Sequence, residues 1–140
     1  MKKLLIVLMS FFMMHSVALA EAKTVDATEI ITEFERNCIR FEKNYIGQRV
    51  TVSGLAAFVV NAREELERIG NGKYVVGLLN LDTPSYNTTF PVFFFKTSDD
   101  IIELSTNDEV TIEGICMYGG KIEGVENRWI VFQDCKVIKK

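Results

Sequence analysis

Histidine is all but missing from this chain: the single one, His15, falls inside the apolar leader that opens it. Without the leader, the side chain most often chosen for general base catalysis or metal ligation is gone. Positive charge is also in short supply. The leader takes Lys2 and Lys3 with it and no acidic residue, which leaves 14 basic against 19 acidic side chains, a net charge of −5. A domain of that sign repels phosphate backbones unless its cations are tightly clustered. There is no C-x-x-C pair, no internal repeat, no low-complexity linker and no second long hydrophobic run. The first argues against a zinc site, and metal and cofactor are both expected to be absent.

The leader itself is legible. Lys2 and Lys3 precede an apolar stretch from Leu4 to Met14, and Ala18-Leu19-Ala20 stands before Glu21. That is the layout of a secretory signal peptide cleaved after Ala20. The stretch is too short to span a bilayer as a stable helix, and no cysteine follows it to accept a lipid. Residues 1–20 are read as the signal and 21–140 as one domain, periplasmic or secreted and not membrane-spanning.

Within that domain, Asp26 and Glu29 form a capping box with Val25 and Ile30 as a staple. Ile30, Phe34, Cys38, Phe41 and Tyr45 then recur at helical spacing, which predicts one helix over 26–45. Gly47 suits the left-handed residue that ends it. Five strands follow, over Val50–Val60, Lys73–Leu81, Phe90–Lys96, Val110–Tyr118 and Trp129–Ile138. Gly54 is the expected bulge of the first. The polar stretch 61–72 can form a helical turn, and Ser98, Ile101 and Ile102 predict a short helix between the third and fourth strands. That order is a mainly β, five-stranded OB-fold Greek-key barrel with an N-terminal helix.

The segment from Asn37-Cys38-Ile39-Arg40-Phe41 through Tyr45-Ile46-Gly47-Gln48 to Ser53-Gly54 resembles the helix-to-first-strand signature of the tRNA_anti-like family of exported bacterial OB-fold proteins. Gly114-Ile115-Cys116 and Asp134-Cys135 are similar to its later strands. Cys38 replaces the family's usual Glu, and Phe41 a small residue, which enlarges the apolar face of the helix. The resemblance implies an OB fold over the whole mature chain more than it implies RNA binding.

Three cysteines in an exported chain leave one over. Cys116 and Cys135 lie on strands joined by one hairpin loop and are the expected disulfide. Pairings through Cys38 compete, although Cys38 on the apolar stripe reads as a buried hydrophobe. No base stands ready to activate any of them, so no catalytic residue is expected.

The strand Phe90-Pro91-Val92-Phe93-Phe94-Phe95 is apolar on both faces, as is Tyr74–Leu81, and a barrel with one wet face does not require that. Two readings stand. The helix 26–45 covers an outer wall of Tyr74, Val76, Leu78, Phe93 and Phe95, or Tyr74, Phe93 and Phe95 form an open platform on which a ligand stacks. Arg63, Arg68, Tyr118, Lys121 and Arg128 in the flanking loops are the accompanying candidates. Interleaved glutamates make a solvated polar surface the plainer reading of the four cations. The resulting expectation is a non-catalytic binding module for a protein partner or a small saccharide-like ligand. Single-stranded nucleic acid is the alternative, disfavoured by charge, and a homo-oligomer formed through the apolar face is a further option.

Overall fold

A computed structural model of the protein describes residues 22–79 and 89–140. The leader at 1–20, the end of the second expected strand at Asn80 and Leu81, and the connection after it as far as residue 88 lie outside the described residues. The elements in order are β1 (Lys23–Asp26), α1 (Ala27–Arg36), α2 (Cys38–Tyr45), β2 (Arg49–Asn61), α3 (Glu64–Gly70), β3 (Tyr74–Leu79), β4 (Thr89–Phe95), β5 (Glu109–Lys121) and β6 (Arg128–Lys139).

Strands β2, β3, β4, β6 and β5 are neighbours in that order, and β5 returns to pair with β2, which closes a five-stranded barrel. The β4–β6 pairing is parallel and the other four are antiparallel. This is the OB-fold barrel, with β1 added in parallel beside the first half of β2.

The predicted single helix is two. Asp26 caps α1 as expected, its Oδ1 accepting the Glu29 N–H at 2.7 Å. At Asn37 the backbone turns to φ −157°, ψ 88°, and the Asn37 side chain caps a second helix by accepting the Arg40 N–H at 3.0 Å. An asparagine that can serve a new N-terminus competes with helix continuation. The break rotates the phase, so Cys38 and Ile39 are exposed and the expected burial of Cys38 does not hold. Arg40 reaches back to Glu33, Nη2 to Oε2 at 3.1 Å. That hydrogen bond holds the Glu33 carboxyl below its ordinary pKa, a contribution present at neutral pH and lost as pH falls through the lowered value.

Core packing follows the alternation of the strands. Ile30, Ile31, Phe34, Phe41 and Tyr45 of the two helices share one cluster with inward residues from all five barrel strands. Phe93 stacks on Phe132 in its middle, ring centroids 4.4 Å apart. Tyr74, Val76, Leu78, Phe93 and Phe95 belong to this cluster together with Val50, Ile112 and Ile130. The set read as an outer wall is therefore the wall that faces the barrel core.

Between β4 and β5 the expected short helix is a single turn. Ser98 C=O accepts from Ile101 and Ile102 N–H at 3.0 and 2.9 Å, and the chain then leaves helical geometry. Ile101 and Leu104 join the core. The bulge of β2 falls between Ala56 and Phe58 rather than at Gly54, which stays in register with Val110. No helix among the described residues is long and apolar enough to cross a membrane.

Candidate functional site

OB barrels present ligands to the outer face of the second and third barrel strands, between the first-to-second and fourth-to-fifth strand loops. Here those strands are β3 and β4. The outward side chains Val75, Val92, Phe94, Trp129 and Val131 form a second apolar cluster, joined by half-buried Phe58 and Phe90. The Phe58 ring lies directly over Gly77. A Cβ at Gly77 would stand 2.3 Å from that ring, so only glycine lets the phenyl lie flat on the strand. Phe58 then meets Phe90 edge-on at 5.6 Å and stacks on Trp129 at 6.2 Å.

Helix α3 closes much of this face. Glu64, Glu65 and Glu67 in its first turn complement the helix dipole, and Asn71 ends it in the left-handed region at φ 53°. Leu66 and Ile69, three apart, pack on the outer cluster. What stays open is a cleft of about 350 Å³ between α3 and the β5–β6 loop. Phe58, Leu66, Val75, Val125 and Trp129 give it apolar walls, and Arg63 and Glu126 are the charged side chains among its described lining residues.

The profile of the tRNA_anti-like family matches residues 12–136. The chain belongs to the tRNA_anti-like family. No curated protein matches it. Among solved structures it is similar to a lipoprotein of Klebsiella pneumoniae subsp. pneumoniae MGH 78578, named by inference only as nucleic-acid-binding. The two are 20% identical, with a TM-score of 0.60 over 87% of this chain and 96% of the other. At that identity the likeness speaks for the fold.

In this tRNA_anti-like protein the residues singled out from sequence do not converge. Phe93 and Phe95 are buried in the core and offer no ring to a ligand, because the helix pair and the other strands enclose them. Tyr74 is half-buried at the edge of the same cluster and lines a separate groove. Tyr118 is half-buried against the outer cluster. Of the four cations only Arg63 lines the cleft. Arg68 is exposed and stands 3.8 Å from Glu64 on its own helix, and Lys121 is exposed at the end of β5. Arg128 turns toward α1, Nη2 3.7 Å from Glu35 and its guanidinium 5.6 Å from the Phe34 ring centroid. The residues that sequence reasoning passed over are Phe58, Leu66 and Val125. The signal for Phe58 was the glycine opposite it; for Leu66 it was the apolar pair with Ile69.

The cysteines differ from expectation too. All three are free thiols in the structure. Asp134 adopts φ 51° and bulges β6, an arrangement braced by Arg49, whose Nη2 lies 2.8 Å from Asp134 Oδ2. The shift puts Cys116 opposite Phe132, while the Cys135 sulfur lies over Gly114, 2.7 Å from where a Cβ there would be. Cys116 and Cys135 are thus offset along the hairpin instead of facing each other. Burial pushes the Cys116 thiol up to about 12 and raises Cys135 as well, so neither is a thiolate at neutral pH. A thiol-reactive dye at pH 8 is expected to label Cys38 alone in the folded, reduced protein and all three cysteines after denaturation. Rapid labelling of Cys116 or Cys135 in the native state would contradict their burial.

Proposed function

We propose that this protein is a non-catalytic binding module of the bacterial cell envelope that takes a protein segment or a small saccharide-like ligand in the cleft between α3 and the β5–β6 loop. The observation that carries the reading is the cleft itself: the usual OB ligand face is filled by Phe58, Phe90, Phe94 and Trp129, and a small apolar recess with Arg63 and Glu126 in its lining is what remains. A volume near 350 Å³ suits an apolar side chain or one sugar ring, at the lower end of the range for small-ligand pockets. The export signature at the N-terminus and the lipoprotein name of the structural neighbour support an envelope location. Against catalysis stand the single histidine, confined to the leader, and two thiols held protonated by burial.

The neighbour's name speaks of nucleic acid, and the form an OB face takes is a single strand. That reading needs stacking rings along a basic track. Here Phe94 and Trp129 are buried and Phe58 and Phe90 only half-exposed, and of the four loop cations Arg68 and Arg128 stand beside glutamates.

The test is an NMR titration of the mature protein with N-acetylglucosamine disaccharide, with a short apolar peptide and with an oligothymidylate at low and high salt. The expected result is that the saccharide or the peptide shifts resonances of Phe58, Leu66, Val125 and Trp129, and that Val125→Trp, which fills the cleft, removes the response. Oligothymidylate binding that falls steeply with salt, with no response to the other two probes, would overturn the proposal.

A further inference from the structure

Strand β2 is paired on its β5 side only through its first half. The ladder ends at Leu55 opposite Glu109, and Ala56 then exchanges bonds with Asp108 and Asn107, its N–H donating to Asp108 C=O at 2.9 Å and its C=O accepting the Asn107 N–H at 2.7 Å. Beyond that point β2 continues to Asn61 with β3 as its single partner among the described strands. The Ala62 N–H donates to Lys73 C=O at 2.8 Å, which sets the alternation of the antiparallel ladder. Phe58 and Val60 therefore turn their backbone groups to β3, and Val59 and Asn61 turn theirs to the unpaired edge.

Natural edges are blunted with charge or proline. This one begins at the Ala56–Phe58 bulge but carries neither device: Leu55-Ala56-Ala57-Phe58-Val59-Val60-Asn61 has no charged residue and no proline. The edge opens into a groove of about 600 Å³ lined by Val59, Val60, Tyr74, Ile101, Ile102 and Leu104, with Ser98 and Asn61. Val60 and Ile102 are 51% and 73% exposed, and both line this one groove, which makes an apolar patch at the open edge. The turn that forms the far wall carries Asp99, Asp100 and Glu103, all exposed and none in an ion pair among the described residues.

We propose that the open edge of β2 at Val59–Asn61 receives an extended segment of a partner protein by β-strand addition, a segment apolar at alternate positions with Lys or Arg where it passes the 98–104 turn. Backbone bonds at Val59 and Asn61 would hold such a strand, and Ile101, Ile102 and Tyr74 would receive one row of its side chains. The three unpaired carboxylates favour a basic segment. A second copy of this chain would set two such acidic turns against each other, which disfavours self-pairing. The surface is distinct from the cleft beside α3 and shares only Val60 and Asn61 with it.

The test uses isotope-labelled mature protein and the capped peptide Lys-Val-Thr-Val-Thr-Val-Lys, alongside the same peptide N-methylated at alternate residues. Binding is expected to shift the Val59 and Asn61 amides and slow their hydrogen exchange. N-methylation is expected to weaken it by about tenfold, since it removes strand hydrogen bonds without altering the protein. Reversing the charge of Asp99, Asp100 and Glu103 to lysine is expected to weaken it further. Equal affinity for the methylated peptide, shifts confined to the cleft residues Phe58, Val125 and Trp129, or no response at all would overturn the proposal. So would a free protein of doubled mass in which these amides are already protected. Failure here leaves the cleft reading standing, because its probes and reporter residues differ.

Discussion

Phe93→Ala is expected to remove about 3–5 kcal/mol of stability, read as a fall in the urea midpoint with an unchanged slope. The ring is fully buried and stacks on Phe132 at 4.4 Å, in the layer where inward residues of β4 and β6 meet beneath the helix pair. Truncation leaves a cavity that five closed strands cannot collapse to fill. Total stabilities of domains this size run to about 5–15 kcal/mol, so the loss is a substantial part of the whole. Phe90→Ala, at a half-buried position of the same strand, is the internal control and should cost clearly less. An equal loss at both positions would mean that the inward and outward sides of β4 have been wrongly distinguished.

Gly70→Val is expected to lift α3 off the barrel. A Cβ at Gly70 would lie 1.9 Å from the Phe94 ring, and Phe94 in turn meets Trp129 at 6.4 Å. A buried ring hemmed by β3 and β6 has nowhere to retreat, so the helix must move. Overpacking of this kind costs about 1–3 kcal/mol. Trp129 is the only tryptophan and meets Phe94, so its emission reports on the outer cluster. A shift to longer wavelength is expected as water reaches the outer cluster. Unchanged emission with unchanged stability would show that α3 does not cover that face.

These two results bear on how far the sequence could be read. The alternation of β4 was plain, and it sorted Phe93 and Phe95 from Phe90 and Phe94 correctly. It could not say which pair faces inward, because both sides are apolar and a period of two carries no inside or outside when neither face is polar. The cover on the second face was hidden as well: α3 is a short run dominated by glutamate and arginine, and only Leu66, Ile69 and Gly70 face the barrel. The N-cap at Asp26 was legible since it is local chemistry. The break at Asn37 was not, because an asparagine inside a helical pattern reads equally as a solvated position or as a new cap. Cys116 and Cys135 were misjudged for a third reason, the left-handed Asp134, which shifts the hairpin register by a bulge that no local pattern announces.

The candidate site followed from the same geometry. Of the residues chosen as ligand contacts, Arg63 is the one that lines the cleft, and Phe58, Leu66 and Val125 of its walls stand at positions the sequence did not single out as a site. A face filled by its own aromatics is why the two proposals turn to the recess beside α3 and to the open end of β2.

Hydroxyl-radical footprinting of the mature protein, resolved to single phenylalanines, tests the central claim most directly. Phe93, Phe94 and Phe95 are expected to be protected, with moderate labelling of Phe90, the half-buried member of the four. Strong labelling of Phe94, or of Phe93 and Phe95 together, would mean that one side of β4 is an open aromatic platform, and would contradict it.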